Sequence, residues 1–143
     1  MTDATRTEPL EKEIRIEATP ETVFEFFLDP EKMTRWLCDA ATVDPRPGGA
    51  YLQTHPGPDG RDYHMRGELV EVSPPSRLVF TWGFEEPNMI VRPGSTAVEV
   101  TLQPDDGGTL LRLVHHDLPE SEVRDHTAGW QTLLARLEAA ARG

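Results

Sequence analysis

Apolar and polar residues alternate from Lys12 to Ala18 around Ile14 and Ile16, the period of a half-buried strand. Thr19-Pro20-Glu21 then reads as a helix start. The Thr19 hydroxyl can accept from an orphan amide, Pro20 suits the first helical position, and Glu21 complements the positive helix end. Val23, Phe24, Phe27 and Leu28 form one face of that short helix. Asp29-Pro30-Glu31 repeats the signal, and Met33, Trp36 and Leu37 give a second short helix its apolar side. Beyond Leu37 the period is two again. Strands are expected at Ala40–Val43, Ala50–His55, Tyr63–Val72, Arg77–Phe84, Thr96–Leu102 and Thr109–His115. The segments between them (DPRPGG, PGPDGR, SPPS, EEPNMIVRPG and PDDGG) are turn-rich and mostly short, which favours hairpins and hence an antiparallel meander. From Pro119 to Arg142 the period becomes helical, with Val123, Trp130, Leu133, Leu134 and Leu137 on one stripe.

That order, strand, two helices, six strands and a long helix, is an α+β arrangement. The helix stripe and the single apolar face of the sheet must cover each other, and a curved antiparallel sheet wrapped around the C-terminal helix achieves it. Strand parity places Leu78, Phe80 and Trp82 on the inner face, with Val98, Val100 and Leu102, and Leu111, Leu113 and His115. In the long strand Tyr63, Met65 and Gly67 share that face while Val70 and Val72 fall on the other parity. A β-bulge near Gly67–Leu69 is expected to reconcile them. Residues 1–10 carry little apolar pattern and are expected to form a flexible tail, leaving 11–143 as one domain.

Charge narrows the function classes. Fourteen Lys and Arg against 25 Asp and Glu give a formal net charge of −11. Such a balance opposes nucleic acid, which is held by cations on phosphates, and anionic membrane surfaces. No apolar run is long enough for a transmembrane helix, and the first twenty residues lack the apolar stretch of a signal peptide. The single cysteine, Cys38, suits a reducing compartment, so a cytoplasmic location is expected.

The chain resembles the activator of heat-shock-protein-90 ATPase homologue-like family, within the START and polyketide-cyclase superfamily of helix-grip folds. The residues that carry the resemblance are ATPETVFEFFLDPEKMTRWL, the Gly48-Gly49 turn before Tyr51, and GELVEV followed by SPPSRLVFTWGF. STAVEVTL, LRLVHHDLP and His126-Thr127-Ala128-Gly129-Trp130 complete the series, which runs from about Ile14 to Gly143. The resemblance implies a helix-grip fold with an inner cavity, and no fixed catalytic set. The founding co-chaperones are similar only over their C-terminal domain, so a chaperone partner is not expected.

Ten residues are expected to line one cavity. Parity supplies Tyr63, Met65, Phe80, Trp82 and His115; helical spacing supplies His126, Trp130 and Leu133; Trp36 and Tyr51 come mainly from the resemblance. Such a lining favours a neutral or weakly polar hydrophobic small molecule over a phosphate ester. His115 is a polar anchor or a general acid–base in one reading, and a satisfied core histidine in the other. His126 is either a cavity residue or a histidine at its rim, and His55, beside a turn, carries no signal.

His115 and His116 point to opposite faces of a strand, and neither HExxH nor paired CxxC occurs, so no metal is expected. The absence of GxSxG and of phosphate-loop glycine patterns argues against a hydrolase elbow and a nucleotide cofactor; no cofactor is expected. Gly129 inside a helix costs about 1 kcal/mol against alanine, for which close approach to the sheet or space left beside Trp130 are the two explanations.

Three functions follow, in order of preference. The first is a small-molecule binding protein without chemistry. The second is a polyketide cyclase- or aromatase-like enzyme in which His115 or Tyr63 moves protons. The third is a co-chaperone-like interaction module using the outer sheet face, although Glu68, Glu99, Thr101 and Arg112 make that face polar. Homodimerisation is left open.

Overall fold

The computed structural model describes residues 8–142. The elements run β1 (Leu10–Ile16), α1 (Pro20–Leu28), α2 (Pro30–Met33), β2 (Ala40–Val43), β3 (Ala50–Pro56), β4 (Asp62–Ser73), β5 (Arg77–Trp82), β6 (Thr96–Asp105), β7 (Gly108–His116) and α3 (Glu120–Arg142). The expected tail falls mostly outside the described residues. Its last residue, Leu10, belongs to β1 and is buried against His115. One apolar side chain among charges is too little pattern to extend a strand by inspection.

The two helix starts form as their chemistry dictates. Thr19 accepts from the Thr22 amide at 3.3 Å, and Asp29 accepts from the Glu31 amide at 3.0 Å. α2 is a single turn ending at Met33. Trp36 and Leu37 lie in the turn beyond it and are buried there.

All strand pairs are antiparallel, in the order β1-β7-β6-β5-β4-β3-β2. β2 to β7 form a meander, and β1 closes the far side against β7. The bulge lies slightly later than expected, between Leu69 and Glu71, so that Leu69 still faces inward and Val70 is turned to solvent at 54% exposure. β-Branched Val70 is the extra residue; ejecting it restores Val72 to the inner register opposite Leu78. β5 ends at Trp82, two residues short of expectation. Phe84 instead makes an isolated bridge to Met65.

The inner face and α3 share one core. Ile16, Phe27, Met33, Trp36, Tyr51, Met65, Leu78, Phe80, Leu111, Leu113 and Leu137 are within 2% of complete burial. α3 lies against β1 and α1 and sends Trp130, Leu134 and Leu137 into this core.

Candidate functional site

The first half of α3 meets the far end of β5 at an aromatic centre built around Trp82. Its ring packs edge-on or tilted against Trp130 at 5.2 Å, Phe84 at 5.6 Å, His55 at 5.6 Å, His115 at 6.0 Å and His126 at 6.5 Å, centroid to centroid. Strand parity puts Trp82 and His115 on the inner face, and one helical turn separates His126 from Trp130.

Hydrogen bonds from the two indoles orient His115 and His126, because an indole nitrogen only donates. Trp130 Nε1 donates to His115 Nδ1 at 3.0 Å, so the His115 proton is on Nε2, which donates to Thr96 Oγ1 at 2.9 Å. Thr96 passes its own proton to the Trp82 carbonyl at 2.7 Å. His115 is therefore neutral, fully buried and used at both nitrogens. Burial, with smaller contributions from His126 and His116, lowers its pKa to about 3. In the same way Trp82 Nε1 donates to His126 Nε2 at 3.4 Å, and His126 Nδ1 donates to the Glu122 carbonyl at 3.0 Å.

Beside this centre a cleft of about 310 Å³ opens between α3 and the β5–β6 connection. Trp82, Phe84, Met89, Glu122, Asp125, His126, Gly129, Trp130 and Leu133 line it. The connection is held in shape by backbone contacts. Gly83 lies so close to the Arg92 carbonyl that any side chain there would collide with it, and Phe84 N donates to Val91 O at 2.8 Å. The Arg92 guanidinium donates to the carbonyls of Glu85 and Glu86. Gly129 is exposed on α3, and a Cβ added there would meet nothing within 4 Å. Close approach to the sheet is thus not the reason for this glycine; it widens the cleft.

Of the ten residues expected to share one lining, Trp82, His126, Trp130 and Leu133 surround the cleft. The other six do not. Trp36 donates from Nε1 to the Phe26 carbonyl at 2.8 Å, and Tyr51 donates to the Phe27 carbonyl at 2.6 Å; both anchor α1 from inside the core. Met65 and Phe80 are sealed among their strand neighbours, and His115 lies behind Trp130. Tyr63 points to the β3–β4 turn and donates to Asp59 Oδ2 at 2.7 Å. The core is filled by large side chains, and this cleft lies at its edge.

Sequence reasoning passed over Phe84, Met89, Glu122 and Asp125, which depend on how the β5–β6 connection folds back and on the rotation of α3. It also passed over His55. That ring sits between Trp82 and Phe84, and burial lowers its pKa to about 4. His55 Nε2 donates to Gln53 Oε1 at 2.7 Å. The Gln53 amide nitrogen is the one buried side-chain polar atom without a partner among the described residues. A histidine and a glutamine at strand parity in the inner row were the available signal. Among the described residues no three His, Cys, Asp or Glu side chains gather as a metal site.

The family model of activator of Hsp90 ATPase homolog 1-like proteins matches residues 17–142. The chain belongs to this family. Among solved structures, a protein from Chromobacterium violaceum is 27% identical, with a TM-score of 0.83 over 94% of this chain and 97% of that one. CalU16 from Micromonospora echinospora is 26% identical, with a TM-score of 0.72 over 92% of this chain and 74% of that one. An AHSA1-like protein from Aeromonas hydrophila, 22% identical, shares the fold at a TM-score of 0.74 over 93% and 91%. Among curated proteins none matches this family member by sequence. The curved sheet gripping α3 is the helix-grip architecture of AHSA1-like structures. No helix among the described residues is long and apolar enough to cross a membrane.

Proposed function

We propose that this AHSA1-like domain binds a hydrophobic small molecule in the cleft between α3 and the β5–β6 connection, without chemical conversion. The observation that carries this reading is the cleft itself: about 310 Å³ of open space walled by Trp82, Phe84, Met89, Trp130 and Leu133, with Gly129 leaving room. Concave apolar space with a few polar groups at its margin is the usual form of a small-molecule site. The cyclase-like reading has less support. His115 has both nitrogens engaged and no route to the cleft, and the Tyr63 hydroxyl is directed to Asp59. A general acid–base must reach its substrate within hydrogen-bond distance. The co-chaperone-like reading is weakened by the outer sheet face, where Arg77 joins Glu71 and Glu99 and Glu99 joins His116 in a polar network. A cytoplasmic setting accompanies the proposal, supported by buried Cys38, whose thiol burial pushes up to about 11.

The test is binding of the neutral dye Nile red to the folded protein, followed by its blue-shifted emission. Gly129→Leu should fill the cleft and weaken binding roughly tenfold or more while leaving the far-ultraviolet spectrum intact. Equal binding by wild type and Gly129→Leu would place the dye elsewhere and remove the basis for the proposal. Mass spectrometry of natively extracted protein should find a co-purifying hydrophobic compound that displaces the dye.

A further inference from the structure

The cleft is apolar along its walls and acidic at its mouth. Glu122 and Asp125 lie on the first turns of α3, beside Trp82, Phe84 and Trp130. Several acids on the sheet have cationic partners: Glu71 and Glu99 share Arg77, Asp105 holds Arg15, and Glu86 holds His64. Among the described residues no lysine or arginine lies within ion-pair distance of Glu122 or Asp125. The Glu122 side chain is only 20% exposed, and its nearest basic group is His126 Nδ1 at 3.8 Å. That Nδ1 is directed to the Glu122 backbone carbonyl at 3.0 Å, closer than to the carboxylate, and Nε2 faces the Trp82 indole N–H at 3.4 Å.

From these observations we propose that the occupant of the cleft is an organic cation, an aromatic or alkyl group carrying an ammonium centre. This rests on the small-molecule reading above and specifies its ligand. The apolar body would lie along the Trp82 and Trp130 side of the cleft, and the ammonium would sit between their π-systems and the carboxylates of Glu122 and Asp125. Electron-rich rings attract a cation electrostatically, and a half-buried carboxylate lacking a counter-ion attracts it further. The net charge of −11 raises the local concentration of cations and lowers that of anions. The expectation of a neutral or weakly polar ligand followed from a mostly aromatic lining, with the net charge of −11 arguing against anions. The two acids alter it, and they become part of the site only through the rotation of α3.

Three ligands of one shape decide the matter: naphthylmethylammonium, its uncharged isostere ethylnaphthalene, and the anion naphthoate, each followed by quenching of tryptophan emission at low ionic strength. The ammonium compound should bind roughly tenfold tighter than ethylnaphthalene, with naphthoate weakest. Glu122→Gln should abolish most of the ammonium advantage, read as the ratio of ammonium to ethylnaphthalene affinity within each variant, and Asp125→Asn should do so in part. Added salt should erode the same advantage. An ammonium compound that binds no tighter than ethylnaphthalene, or an advantage that survives in both variants, overturns the cation assignment while the cleft remains a hydrophobic site. Ammonium binding indifferent to Gly129→Leu is general attraction to an acidic surface, and also overturns it. Failure of ethylnaphthalene to bind, together with no effect of Gly129→Leu on Nile red, overturns the small-molecule reading itself.

Discussion

Mild acid should destabilise this protein through His115 and His55, whose pKa values burial lowers. An unfolded histidine takes up a proton near pH 6.5. In the folded protein burial lowers His115 to about 3 and His55 to about 4. Between those values the unfolded chain binds more protons than the native one, so stability rises with pH across the window. The contribution is complete above about pH 6.5 and is lost as the pH falls toward the folded values. Integrated from about pH 7 to pH 5, each histidine withdraws about 2 kcal/mol, so the pair withdraws about 4 kcal/mol. That is a large part of the 5–15 kcal/mol typical of a domain. Glu71, Glu86 and Glu99 are held below the ordinary carboxylate range by their ion pairs and hydrogen bonds, so they titrate later. His64 acts in the opposite sense. Its hydrogen bond to Glu86 raises its pKa, and its contribution is lost as pH rises; being on the surface, it offsets little. Urea titrations at several pH values measure the effect. His115→Gln supplies an acceptor for Trp130 and a donor for Thr96, and should remove about half of the pH dependence between pH 7 and 5. A His115 imidazole that titrates near pH 6.5 by NMR, or a variant with the wild-type pH dependence, would refute the assignment of a neutral, sealed His115.

Gly129→Ala should stabilise the protein by about 1 kcal/mol, since it removes the glycine helix penalty where nothing obstructs a methyl group; a loss in denaturant titration would mean that α3 lies closer to the β5–β6 connection than described. Trp130→Ala should cost about 3–5 kcal/mol, because it deletes a core ring and leaves His115 Nδ1 without its donor; a change below about 1 kcal/mol would place the ring outside the core. Gln53→Met should change stability by less than about 1 kcal/mol or raise it, because it removes a buried amide nitrogen that has no partner; a loss above about 2 kcal/mol would show that the amide is satisfied in solution.

The sequence pattern read the sheet well because alternation is a local property. Leu78, Phe80 and Trp82, and Val98, Val100 and Leu102, face inward as their spacing requires. The capping chemistry at Thr19 and Asp29 is equally local. Parity, however, separates inside from outside without separating filled core from open cleft. Tyr51 and Trp82 occupy the same face, yet one is locked to the Phe27 carbonyl and the other borders open space. That difference depends on tertiary packing. The bulge shows the same limit: two parities reveal that a residue is extra, and pairing with Phe80 and Val79 decides that it is Val70.

The position of β1 bears on how the chain acquires its shape. Ile16 pairs with Thr109 and Leu10 with His115, so the first strand made has its partner among the last. The β2–β7 hairpins can form in order as they leave the ribosome, most of them closing a short loop, whereas β1 must wait. Until β7 emerges, Ile14 and Ile16 have no sheet neighbour, and the surface that receives α3 is incomplete. Such non-local closure is intrinsically slow. Commitment to the native state therefore waits for β7 to draw β1 across the sheet and for α3 to settle against β1.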